Sequence, residues 1–148
     1  MACIPPVLTD HGLLAALENL LTDLDVEAEL LTHRLPRLAA RVEAGAYFCA
    51  TALLREWNTT GASQPIRVIV GVTSKLIQMM VHDGVPEGDT RPGLAVSAVV
   101  LEAVQDRVAA LEGSLRTGHD AGGRWLVIDI PLAPAVLAAP PARKKARA

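Results

Sequence analysis

Leu13, Leu14, Leu17, Leu20 and Leu21 recur at spacings of three and four, which predicts an amphipathic helix over 10–23 with Asp10 as its cap. Val26, Ala28 and Leu30 then alternate with Glu27, Glu29 and Leu31, the period of a short strand. Pro36 is suited to a helix start, where its missing N–H costs nothing, and predicts a long helix to about Trp57. Leu38, Val42, Ala46, Cys49 and Leu53 line one side of it. Residues 58–63 read as a loop. Ile66, Val68, Val70 and Val72 alternate in a strand, Thr73-Ser74 turn the chain, and 75–82 return as a second strand. Charges, glycines and prolines make 83–92 a loop. Val96, Val100, Val104, Val108 and Leu111 give a second long helical stripe. A final strand pair, 114–117 and 124–130, is joined by a turn around His119-Asp120-Ala121-Gly122-Gly123. The order is helix, strand, helix, strand, strand, helix, strand, strand. It predicts an α+β domain in which helices cover one face of a mixed sheet.

Composition narrows this picture. Hydrophobic residues make up 51% of the 148-residue chain but aromatic ones only 3%, so the core is expected to be aliphatic and the fold a single domain. A net charge of −2 provides no general attraction to nucleic acid or anionic lipid. Cys3 and Cys49 lack metal-ligand spacing, and a reduced, cytoplasmic setting with Cys49 in the core is the expectation. Lys75, Glu102 and Asp106 interrupt the most apolar stretches before they reach the ~18 residues of a spanning helix. The first residues lack a basic n-region and an apolar h-region, so neither membrane nor export is expected. Residues 133–148 form a Pro/Ala/basic tail expected to be disordered. Its Arg143, Lys144, Lys145 and Arg147 are read as solubilising, and nucleic acid is not an expected partner.

Five segments in order resemble one family. Leu8-Thr9-Asp10-His11-Gly12-Leu13 is similar to an LTDRGL opening. Leu35-Pro36 with Val42-Glu43-Ala44 and Ala46-Tyr47-Phe48 is similar to an LP…VEAAAYF start of a long helix. Gly61-Ala62-Ser63 follows as GAS or GAT does. Asp106 to Gly113 resembles DRVAALGG, and Gly122-Gly123 before a strand ending Pro131-Leu132 resembles the last hairpin. The pattern resembles the ATP-binding domain of the GHKL superfamily, in particular that of nitrate- and DegS-type sensor histidine kinases. The resemblance implies a histidine-kinase-like ATPase α/β sandwich over 8–132, with 1–7 as an N-terminal extension.

It also implies a chemistry that the residues here depart from. In that family the long helix carries a glutamate base and, four residues on, an asparagine that ligates Mg²⁺. Those positions fall on Ala52 and Glu56, or on Thr51 and Arg55 in the other register. Neither alanine nor threonine serves as a general base at neutral pH. Glu56 is read as a solvated residue at a charged helix end. The adenine-binding D-x-G-x-G loop corresponds to His82-Asp83-Gly84-Val85-Pro86, with either His82 or Asp83 in the aspartate's place. The glycine-rich phosphate lid is reduced to Gly93-Leu94. His82, Asp83, Gly84 and Gly93 are therefore the residues of a vestigial nucleotide site. No catalytic residue and no metal ligand is nominated. No cofactor is expected, with Mg·ATP bound at most weakly.

The function these departures imply is a stand-alone, degenerate histidine-kinase-like domain that regulates two-component-type signalling without catalysis. Its partners would be a sensor kinase, a response regulator or a second copy of itself. The alternative is an ATP-binding protein that still takes part in phosphotransfer. A third reading, an emptied cleft holding an apolar small molecule, ranks below both.

Overall fold

The computed structural model describes residues 4–24, 28–32, 35–59, 66–85 and 96–132. The chain opens with a short helix, α1 (Pro6–His11), whose first position is the proline. Gly12 ends it at φ 92°, a conformation that favours glycine. The carbonyl of Gly12 accepts the Ala16 N–H at 3.2 Å, so the same residue starts α2 (Leu13–Leu24). Asp10 thus lies inside α1 and does not cap α2, because the helical stretch is broken at the glycine. Helix α2 buries Leu13, Ala16, Leu17 and Leu20, four positions on one stripe.

Strand β1 (Ala28–Thr32) leads to α3 (Ala40–Thr59), which begins four residues after Pro36. The delay has a tertiary cause. Arg37 donates from Nη2 to the Thr9 carbonyl at 3.0 Å and pairs through Nε with Glu43 at 3.2 Å. The Glu43 carboxylate also accepts the Leu38 N–H at 3.1 Å. The segment between Leu35 and Ala39 is held against α1, and the first helical bonds go to the Ala39 carbonyl. From there the predicted stripe holds: Val42, Ala46, Cys49 and Leu53 are buried, joined by Ala50, Leu54 and Trp57.

Strands β2 (Ile66–Val72) and β3 (Leu76–His82) form a hairpin. Thr73 Oγ1 accepts the N–H groups of Lys75 and Leu76, each at 3.1 Å, and so fixes its turn. Helix α4 (Ala98–Ala110) is capped by Ser97, whose hydroxyl accepts the Val100 N–H at 3.3 Å. Val96 therefore precedes the helix. Strands β4 (Ser114–Asp120) and β5 (Gly123–Pro131) close the chain. They are longer than the sequence predicts, since His119 and Asp120 belong to β4 and only Ala121-Gly122 turn.

The five strands form one mixed sheet in the order β1-β2-β3-β5-β4. Strands β1 and β2 are parallel, with α3 as their crossover, and the other neighbours are antiparallel. Ile66, Val68 and Val70 of β2 lie on the same face as Ile77, Met79 and Val81 of β3 and Leu126, Ile128 and Ile130 of β5, with Val68 opposite Val81 and Val70 opposite Met79. All nine are buried, in one cluster with the apolar faces of α2, α3 and α4. Each such Leu, Ile or Val contributes about 1.5–3 kcal/mol when fully buried. The helices leave the alternate residues of the sheet on an opposite, open face.

Candidate functional site

The end of β3 carries the residues that the sequence nominates. His82 is its last residue, and Asp83, Gly84 and Val85 continue it. Asp83 is fully buried. Its backbone N–H donates to the Arg124 carbonyl at 3.1 Å, and its Oδ1 accepts the Arg124 N–H at 2.9 Å. A side-chain oxygen here takes the place that a main-chain carbonyl holds elsewhere in an antiparallel ladder. The same Oδ1 accepts the Val85 N–H at 2.9 Å, the geometry of an Asx-turn. Gly123, at φ 140° beside it, has no room for a side chain: a Cβ would collide with Asp83 Oδ1. This explains physically the second glycine of the Gly122-Gly123 pair.

His82 turns the other way, to the open face. Its Nδ1 accepts the Gly84 N–H at 3.0 Å, so the ring proton sits on Nε2, which lies 3.7 Å from Asp120 Oδ1. Gly84 has φ 66°. His82 and Asp83 are neighbours in sequence but are directed to opposite faces of the sheet and do not share one site. Gly93 lies outside the described residues, as do Gly61-Ala62-Ser63, His33, Cys3, the part of the predicted 83–92 loop from residue 86 on, and residues 133–148.

On α3, three of the four side chains at the aligned base and metal positions, those of Thr51, Ala52 and Glu56, are engaged in the fold. The Thr51 hydroxyl donates to the Tyr47 carbonyl at 2.8 Å. Ala52 packs against the core. Glu56 is not simply solvated: its Oε2 accepts the Ser97 N–H at 2.8 Å and pins α3 to the start of α4. Mg²⁺ requires several oxygen ligands in octahedral array, and the set Thr51, Ala52, Arg55 and Glu56 does not fit it. Among the described residues no three His, Cys, Asp or Glu side chains gather into a metal-binding group. Cys49 is buried against α4, and burial pushes its thiol up to about 12 despite the nearby Arg107 guanidinium. It is not a nucleophile at neutral pH.

Sequence reasoning missed the partners of these groups. Arg124, 41 residues away in sequence, completes the Asp83 junction with its neighbour Gly123, and Ser97 answers Glu56 from the same 41 residues. The Gly-Gly pair was the one available signal. The structure also has a cleft of ≈ 270 Å³ between the start of α4 and the last hairpin, lined by Val96, Leu101, Thr117, His119, Arg124 and Leu126 among others. That volume lies just under the ~300 Å³ at which small-molecule pockets begin.

With a mixed five-stranded sheet, helices on one face and a buried aspartate at the end of β3, solved structures supply the comparison. A blue-light activated histidine kinase of Erythrobacter litoralis superposes on 82% of this chain with a TM-score of 0.60 at 16% identity. The fold is that of a histidine-kinase ATPase domain. Histidine kinase AdeS of Acinetobacter baumannii matches 82% of the chain with a TM-score of 0.55 at 18% identity. The catalytic domain of histidine kinase ThkA, in a nucleotide-free form, matches 80% with a TM-score of 0.55 at 10% identity. The chain spans 44% of the Erythrobacter protein and 62% of AdeS, but 92% of the isolated ThkA domain. Protein-family models and curated proteins give no match. The fold is thus shared with these three kinases at 10–18% identity, and no described helix is long and apolar enough to cross a membrane.

Proposed function

We propose that this chain is a non-catalytic regulator of two-component-type signalling, a histidine-kinase ATPase fold that acts through protein contacts. The observation that supports this reading is how the side chains at the nucleotide-binding positions are used. Asp83 Oδ1 serves two backbone N–H groups, the Thr51 hydroxyl serves a backbone carbonyl, and Glu56 joins two helices. A base needs a group able to take a proton within reach of its substrate, and Thr51 and Ala52 offer none. The partners that fit this reading are a sensor kinase or a response regulator, in keeping with the histidine kinases that share the fold.

The test is a pair of measurements on the full chain. Thermal unfolding with millimolar Mg·ATP is expected to show no shift, whereas binding at 100 times Kd adds about 2.7 kcal/mol of stability. A clear rise in Tm would overturn the regulator reading in favour of a nucleotide-binding one that retains phosphotransfer. Calorimetric titration against the sensor kinases and response regulators of the same cell is expected to give saturable binding to at least one of them, unaffected by ATP.

A further inference from the structure

Where β3 leaves the sheet, two adjacent side chains grip the backbone N–H groups that follow, from opposite faces. Asp83 Oδ1 accepts the Val85 N–H at 2.9 Å on the helix side. His82 Nδ1 accepts the Gly84 N–H at 3.0 Å on the open side. Each bond spans two residues, so a ring nitrogen of His82 does what a side-chain oxygen does in an Asx-turn. The two grips differ in their chemistry. An imidazole ionises between about pH 5 and 8, and its second proton goes to the nitrogen that lacks one. Here that nitrogen is Nδ1, because Nε2 already carries a proton. Protonated Nδ1 is a donor facing a donor, and its bond to Gly84 cannot persist.

We propose that His82 is a pH-operated latch at the exit of β3: neutral, it holds Gly84 through Nδ1, and protonated, it releases Gly84 and stays beside Asp120. The surroundings suit both states. Asp120 faces the ring from β4, its Oδ1 3.7 Å from Nε2, and the same oxygen is held in place by the Gly122 N–H at 2.8 Å. From β2, Arg67 lies opposite His82, but its guanidinium pairs with Glu29 of β1 at 3.1 Å. From β5 the opposite residue is the uncharged Trp125. Asp83, next along the chain, is directed to the other face and bonded to Val85 and Arg124. The His82 side chain is 17% exposed, so solvent protons reach it. Gly84 has φ 66°, and a Cβ there would meet nothing within 4 Å among the described residues, so its peptide has room to turn once released. Asp83 keeps its hold on Val85, and the predicted 83–92 loop loses one of two anchors at its start. The latch is independent of the proposed signalling role and survives its failure.

Heteronuclear NMR of the full chain tests it. The ring nitrogen resonances of His82 report where its proton sits, and amide exchange, referenced to the intrinsic rate at each pH, reports the Gly84 bond. From pH 8 to pH 5 the protection of Gly84 is expected to fall about tenfold, the order of one hydrogen bond, while amides in the middle of β3 keep theirs. The fall should share its midpoint with the titration of the His82 ring. His82→Asn puts an amide oxygen where Nδ1 stands and does not titrate, so its Gly84 amide should stay protected throughout. His82→Ala should leave that amide unprotected already at pH 8. A ring that carries its proton on Nδ1 at pH 8 overturns the latch, as does protonation of the ring with no loss at Gly84. An equal pH-dependent loss in His82→Asn also overturns it, and so does a loss spread evenly through β3, because the chain then unfolds as a whole. Should either variant fail to fold, the wild-type titration decides, since separate midpoints for ring and amide overturn the latch.

Discussion

Asp83 Oδ1 holds the N–H groups of Val85 and Arg124, the first bond buried and the second part-buried. Removing that oxygen leaves the buried Val85 N–H unpaired, at about 1–3 kcal/mol, and the part-buried Arg124 N–H at less. Asp83→Ala is therefore expected to lower the unfolding free energy by about 3 kcal/mol in urea titration, and Asp83→Asn, which keeps an acceptor, by less. A loss below about 1 kcal/mol for the alanine variant would show that the junction is not structural. A second residue carries the opposite sign. Glu112 sits at φ 61° just past α4, where its N–H bonds the Ala109 carbonyl and the Gly113 N–H bonds that of Val108. This is a Schellman motif, in which the left-handed position favours glycine. The DRVAALGG pattern has glycine where Glu112 stands. Left-handed backbone costs a side chain about 1–2 kcal/mol, partly offset by glycine's entropy in the unfolded chain. Glu112→Gly should raise stability by about 0.5–1 kcal/mol, visible as an increase in Tm.

At the scale of elements, periodicity made the interiors legible and tertiary contacts set the ends. The buried stripe of α3 and the alternation of β2 and β3 could be read from spacing, because burial of one face demands it. The start of α3 could not, since it depends on Arg37 reaching α1 across 28 residues. Helix α1 was missed because six residues with one buried leucine carry no period. At the candidate site, Asp83 could be nominated from its loop, but its use could not, because Arg124 comes from a distant strand. The Arg37–Glu43 pair is the contact to test. The Glu43 side chain is 3% exposed, and its partner is a half-exposed guanidinium that also donates to α1. Arg37→Ala leaves a buried carboxylate with the Leu38 N–H but without its countercharge. The cost of breaking a buried pair is about 3–5 kcal/mol, reduced here by solvent access to Arg37. A loss of about 1–3 kcal/mol is expected, with a double-mutant cycle to Glu43→Gln showing coupling above 0.5 kcal/mol. Additive effects of the two changes would mean that the latch does not hold α1 to α3.

Across the whole molecule one aliphatic cluster joins α2, α3, α4 and the covered face of the sheet, and Cys49 lies fully buried within it. Ionising that thiol requires the cluster to open, so its titration reports global unfolding. Burial raises its folded-state value from 9.0 to about 12. Below pH 9 the thiol is protonated in both states and makes no pH-dependent difference. Between pH 9 and 12 the unfolded chain has released the proton while the folded chain retains it. The unfolded state then binds fewer protons, and stability falls as pH rises, by at most about 1.4 kcal/mol per pH unit from this group. Tyrosine and lysine side chains titrate in the same range, so the comparison must be made against Cys49→Ala. That variant loses a small amount of packing at every pH but should show the shallower alkaline slope. In urea titrations at pH 8, 9, 10 and 11, the wild-type and variant curves are expected to converge as pH rises. Parallel curves would mean that the thiol ionises in place and that the core admits water at its centre.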